Sequence, residues 1–147
     1  MYYVACPSGW NLIGEDCYKV FNEHPYSNFQ QSEITCQDNK ANLPNLAKLD
    51  AAMEVNRQFQ TISSPVYVDG TDGAWPDGTP VVGATNQPDT FRRYLMARFT
   101  TSGLIYTYSE RDLPEMQRDL LCERSMLINT SNKLIKTIGF SCYLYYF

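Results

Sequence analysis

The sequence predicts an α+β domain built on antiparallel strands, and three observations carry that reading. Apolar residues recur at helical spacing only between Ser27 and Ser63. Beyond Pro65 that period gives way to short apolar runs, alternating or clustered, separated by Gly, Pro, Asp and Asn turn formers. The length, 147 residues, suits one compact domain able to bury a single core. Helices gathered early and strands gathered late point to segregated layers.

The elements follow in order. In "CPSGWNLIGEDCYKVF" apolar and polar residues alternate around Gly14, which predicts a β-hairpin with Trp10, Leu12, Tyr18 and Phe21 available to one face and Cys6 and Cys17 near its ends. "SNFQQSEITCQDNKANL" predicts a helix capped by Ser27, with Phe29, Ile34 and Cys36 near one stripe and Asn39 or Asn42 as its stop. "LDAAMEVNRQFQ" places Leu49, Met53, Val55 and Phe59 roughly three or four apart, a second short helix ended by Ser63-Ser64-Pro65. "PVYVDG" is a short strand. The turn-rich stretch after it, through "DGAWPDGTPVVGATNQPDTF", is a long loop. "RRYLMARFT" and "GLIYTYS" read as strands, and "DLLCER" closes the core with Leu120, Leu121 and Cys122.

Composition excludes several classes. The formal net charge is -4 with basic residues scattered, so no phosphate-tracking surface forms and nucleic acid is not an expected partner. No apolar run reaches the roughly 18 residues that span a bilayer, and "MYYVACPSGW" has neither the charged nor the apolar region of a secretory leader. The five cysteines, Cys6, Cys17, Cys36, Cys122 and Cys142, include no C-x-x-C pair and are accompanied by one histidine, His24, too few ligands for a zinc site. Disulfides and an oxidising, extracellular compartment are the expectation, with one thiol left over. A single histidine before Pro25, with no matched nucleophile, supports no Ser-His-Asp or Cys-His constellation, so an enzyme is not expected.

Five landmarks then stand in order: "CPSGW" with "CY" eleven residues after Cys6, the helix-borne Cys36 followed by "ANLPNL", the "WPDGTPV" turn, "NQPD", and the closing "LLCE". Together they resemble a C-type lectin-like domain over about residues 6 to 123, giving a domain at 1–123 and a C-terminal extension at 124–147. The resemblance implies two helices flanking antiparallel strands and an extended long loop that carries ligand binding. It also implies pairing of Cys36 with Cys122 and of Cys6 with Cys17, leaving Cys142 unpaired. The larger of those bridges closes most of the domain, for about 4 to 5 kcal/mol in the chain-entropy model. The inner cysteine pair of most members is missing, so the loop is freer than usual unless Trp75 and Pro80 pin it.

Within the loop, Gln87-Pro88-Asp89 resembles the galactose-preferring version of the motif with which sugar-binding members hold calcium, its proline often cis, the one kind of bond at which cis is cheap. The candidate ligands are Gln87, Asp89 and, in "YSERDLPE", Asp112; Glu110 and Arg111 stand where the family has tryptophan and asparagine. Calcium wants six to eight oxygens, several from carboxylates. The region after the motif reads "TFRRYLMA", with Arg92 and Arg93 and no acid, and arginines oppose a dication. The expectation is therefore no required cofactor, with calcium as the alternative. Asp69, Asp72 and Asp77 lie beside glycines without calcium-loop spacing and read as turn formers. Trp75 is a candidate for stacking on a ligand, against packing within the loop.

The tail "SMLINTSNKLIKTIGFSCYLYYF" reads as an added strand or helix, or as a partner-binding arm with Cys142 bridging a homodimer; Lys133 and Lys136 argue against a lipid-anchor signal, and Asn129-Thr130-Ser131 is a glycosylation acceptor. The function expected first is a secreted or cell-surface module that binds a protein or glycan ligand through the long loop without calcium, with Gln87, Asp89, Trp75, Arg92 and Arg111 as ligand-binding candidates. The alternatives are a calcium-dependent galactose-type lectin and a disulfide-linked assembly subunit.

Overall fold

The computed structural model describes residues 2–23, 26, 28–109, 119–130, 133–138 and 141–146. The strands are β1 (Tyr2–Ala5), β2 (Asn11–Ile13), β3 (Asp16–Phe21), β4 (Val66–Tyr67), β5 (Tyr94–Thr100), β6 (Gly103–Ser109), β7 (Leu120–Ser125), β8 (Leu127–Thr130), β9 (Lys133–Ile138) and β10 (Ser141–Tyr146). The helices are α1 (Phe29–Asp38) and α2 (Leu49–Gln58). The strands form three antiparallel sheets in the orders β2-β3-β7, β4-β5-β6 and β1-β8-β9-β10. The tail thus adds three strands, the first of which, β8, pairs with the N-terminal β1. Cys142 faces Thr137 in the β9–β10 register.

Period-two alternation splits the buried residues into two cores. Val66, Val68, Leu95, Ala97 and Leu121 enter one, while Tyr67, Met96, Leu120 and Cys122 enter the other. Helix α2 seals the first core with Ala52, Val55 and Phe59, and α1 seals the second with Phe29 and Cys36. Each helix therefore covers its own side of shared strands. Two disulfides, Cys6–Cys17 and Cys36–Cys122, fasten the hairpin and join α1 to β7.

Local chemistry sets the helix limits. Asn28 caps α1, its Oδ1 accepting from the Gln31 N–H at 3.1 Å, one residue past the predicted Ser27, which lies outside the described residues. Asn39 ends the helix as expected. Lys48 precedes α2 without a side-chain cap, and Asp50 in the first turn with Arg57 in the last complement the helix dipole.

The apolar stripes differ from the sequence reading. In α1 the buried residues are Phe29, Ser32 and Cys36, while Ile34 points outward. In α2, Val55 and Phe59 fix the phase, so Ala52 and Asn56 share the inner face and Leu49 and Met53 stand 71% and 61% exposed. Asn56 is accommodated there because its Nδ2 donates to the Thr100 carbonyl at 2.9 Å. On β2, Ile13 is buried and Leu12 exposed, the reverse of the expected face.

This phase makes a direct prediction for urea unfolding. Phe59→Ala should cost about 3 to 5 kcal/mol, because it opens a cavity in the first core. Leu49→Ala should stay within about 0.5 kcal/mol of the parent. Equal losses at the two sites would contradict the assigned helix face.

Candidate functional site

Residues 68–93 leave the sheet after β4 and return at β5. Their path is fixed first at Gly70, where a Cβ would lie 2.5 Å from Leu95 Cδ2 and 3.1 Å from Val81 Cγ2. A Cβ here would have to push those two side chains aside, so glycine suits the close crossing of the loop over its own base. The Tyr108 hydroxyl donates to the Gly70 carbonyl at 3.1 Å, and the Asp69 N–H donates to the Pro44 carbonyl at 2.8 Å. Next comes a tight turn, with Asp77 Oδ1 accepting from the Thr79 N–H at 2.8 Å and an Ala74–Pro80 bridge. Above it, Trp75 is 6% exposed and packs edge-on against Tyr106, ring centroids 5.6 Å apart. Trp75 is therefore a core anchor rather than a stacking platform. Farther along, the Thr85 N–H donates to the Tyr106 carbonyl and the Tyr108 N–H to the Thr85 carbonyl, both at 3.0 Å, clipping the loop to β6.

The Gln87-Pro88-Asp89 segment sits on the outer part of this frame. No cis peptide occurs among the described residues, so the Gln87–Pro88 bond is trans, contrary to the expectation drawn from the resemblance. Asp89 spends its carboxylate locally. Oδ1 accepts from the backbone N–H groups of Phe91 and Arg92, each at 2.8 Å, and Oδ2 accepts from Arg92 Nε at 3.2 Å and Nη2 at 2.7 Å. The Phe91 amide first, then the Arg92 amide and guanidinium, hold this carboxyl below its usual range. Asp72, in a left-handed conformation at φ 58°, is treated likewise: Arg93 Nε and Nη2 reach its two oxygens at 3.0 and 3.2 Å. Each loop carboxylate near the motif thus faces a guanidinium.

A calcium ligand set is not assembled by these groups. Gln87 and Asp89 lie together, but both oxygens of Asp89 are engaged within its own turn. Asp112 and Arg111 lie outside the described residues, among which no group of three or more His, Cys, Asp or Glu side chains is placed to hold a metal. His24 also lies outside them, as does the Cys142 side chain. Since the other four cysteines are bonded in pairs, no cysteine remains within the chain for Cys142.

Two large apolar side chains of the loop stand exposed, Phe91 at 74% and Val82 at 82%. Sequence reading passed over both. The available signal was an apolar residue isolated among turn formers, where no periodicity assigns it to a core.

No family model matches the chain. It is 33% identical over 86 residues to the C-type lectin lectoxin-Lio3 of Erythrolamprus poecilogyrus, and spans about half (52%) of that relative's length. Among solved structures, a calcium-independent type II antifreeze protein superposes with a TM-score of 0.65 at 16% identity, covering 84% of this chain and 97% of that one. The carbohydrate-recognition domain of the human scavenger receptor C-type lectin gives 0.64 at 16% identity, covering 82% and 99%. The chain has the C-type lectin-like fold. A third structure of that fold, the C-type lectin CEL-I from Cucumaria echinata, gives 0.60 at 19% identity, covering 80% and 96%.

Within this fold one half-buried carboxyl, that of Glu123, lies near the loop base. Glu123 pairs its backbone with Asn42 in both directions at 2.8 Å, and its Oε2 accepts from the Asn45 N–H at 3.0 Å. Burial, followed by the charges of Asp16 and, more weakly, Asp69, pushes the carboxyl up to about 7, against the Asn45 N–H and the Tyr18 hydroxyl that favour its ionised form. Asp69 is joined to the same segment through Pro44.

The sign of the linkage follows. A folded value above the ordinary 4.5 means the folded state keeps the proton longer, so this contribution is complete below about pH 4.5 and is lost as pH rises through about 7. Asp72 and Asp89, with lowered values, act in the opposite sense but only below their ordinary 3.8. Denaturant stability should therefore fall between pH 5 and pH 8, and Glu123→Gln should flatten that fall. An unchanged slope in the variant would assign the titration to another group.

Proposed function

We propose that the chain is an extracellular recognition module that binds a protein or glycan ligand through its long-loop face without calcium. The observation that carries this reading is the pairing of Asp89 with Arg92 and of Asp72 with Arg93. Calcium needs several carboxylates turned toward one point. Here the positive charge that would draw them together is supplied from within the chain, and a dication would have to displace one guanidinium while repelled by both.

The ligand face consists of side chains suited to recognition. Phe91 projects outward beside a turn held by Asp89, and Arg92 and Arg93 flank it with side chains 43% and 50% exposed. Aromatic and arginine side chains dominate binding hot spots, and a preformed loop loses less entropy on binding. Two disulfides support an oxidising compartment. The relatives are lectins and antifreeze proteins by name, which supports binding over catalysis. One neighbour of the same fold is a murine dendritic cell inhibitory receptor 2 domain in complex with N-glycan, and another is described as calcium-independent. A calcium-dependent galactose-type lectin is the competing reading, favoured by the Gln87-Pro88-Asp89 sequence itself.

Thermal unfolding with the disulfides intact separates the two. A calcium site with a Kd of about 1 mM would add about 1.4 kcal/mol at about 10 mM ion, a rise of several degrees in Tm. We expect no difference between chelator and calcium beyond that given by magnesium. A calcium-specific rise would overturn the calcium-free reading and return Gln87 and Asp89 to the role of ligands.

A further inference from the structure

A second surface lies away from the long loop. A groove of about 490 Å³ runs between the Gly14-Glu15 hairpin turn and the start of α2, lined by Ile13, Glu15, Asp16, Leu49, Asp50 and Glu54 among others. It shares no residue with the loop. Two features of it are unused by the fold. Leu49 on its wall and Met53 one turn further along α2 are largely exposed, although Ala52, Val55 and Phe59 already complete the core contact of that helix. Exposed apolar side chains at adjacent helical positions form a continuous strip.

The rim adds the second feature. Glu15, Asp16 and Asp50 face the groove with Lys48 the one cation among its lining residues, while Glu54 is already paired with Arg57. Asp16 is half-buried, and its carboxyl is pushed up by that burial first and then by the Glu15 charge, with Lys48 opposing. The fold leaves this charge undercompensated.

We propose that this groove docks a basic, apolar-anchored segment of a partner protein, with an alkyl anchor on Leu49 and Met53 and a lysine or arginine beside Asp16 and Asp50. Charge complementarity selects that occupant. A second copy meeting through the same face would set the same carboxylates against themselves, because a two-fold contact is self-complementary. An anionic lipid surface is repelled by them. A neutral glycan leaves the leucine and methionine without a match. Methionine adapts its shape to different apolar partners, which suits a segment of variable sequence.

The test uses the whole disulfide-bonded chain and a labelled synthetic peptide of alternating lysines and leucines, followed by amide chemical shifts and by anisotropy. The proposal expects shifts concentrated at residues 13–16 and 48–54. It also expects a tenfold or greater loss of affinity in Leu49→Ala/Met53→Ala and in Asp16→Asn/Asp50→Asn, with Ile34→Ala on α1 unchanged. A glutamate-leucine peptide should not bind. Unaltered thermal unfolding of each variant separates lost docking from lost folding. Shifts elsewhere, or full affinity in either double variant, would overturn the proposal. So would movement of the same amides by calcium alone, or self-association abolished by Leu49→Ala/Met53→Ala.

Discussion

Residues 68–93 must keep one shape without a strand ladder of their own, and what the domain offers a ligand depends on how that is achieved. Ordering each residue costs about 1 to 2 kcal/mol of backbone entropy, so a loop of this length collapses onto anchors or does not hold. The magnitudes rank those anchors. Burial of Trp75 against Tyr106, and the hydrogen bonds that clip Gly70 and Thr85 to β6, remove apolar and polar surface from water. The Asp89–Arg92 and Asp72–Arg93 pairs are exposed, and such pairs contribute little to stability. Tryptophan and backbone bonds therefore hold the loop. The arginines decide its charge.

That division rests on the two-core arrangement beneath. Strand β5 buries Leu95, Ala97 and Phe99 in one core and Met96 in the other. Its register is therefore fixed from both faces, and a slip of one residue would exchange the two sets. Arg92 and Arg93 immediately precede this strand, so their positions inherit its register. Gly70 rests on Leu95 of the same strand, which gives the loop a common base for its departure and return. The Cys36–Cys122 bridge ties α1 to β7, closing the second core from the other side.

The sequence made the framework legible where several signals agreed. The hairpin around Gly14, both helices and the strand triplet after Pro65 follow from alternation and spacing, and the pairing of the two disulfides from the resemblance. Helix faces were less legible. Leu49, Met53 and Ile34 have the right chemistry for a core, but the phase is set by which residues the sheet can receive, and Asn56 takes an inner position because the Thr100 carbonyl awaits it. At the loop, Gln87 and Asp89 were visible as a motif, and Arg92 and Arg93 as an electrostatic objection. Their pairing was hidden. Asp72 and Arg93 are twenty-one residues apart, and the folded path of the loop brings them together. Glu123 was invisible as a titrating group, because its raised value comes from enclosure by β3 and the 42–45 segment.

The most direct measurement is amide hydrogen exchange across the loop, in chelator and again with calcium at about 10 mM, well above the range of extracellular calcium modules. The Asp72 and Val81 amides donate within the folded loop, to the Arg93 and Gly73 carbonyls, and the Thr85 amide donates to the Tyr106 carbonyl of β6. A loop held by Trp75 and its own hydrogen bonds keeps those amides protected in chelator, with rates unaltered by the ion. Exchange at the rate of an unstructured chain in chelator, slowing only when calcium is added, would contradict the account.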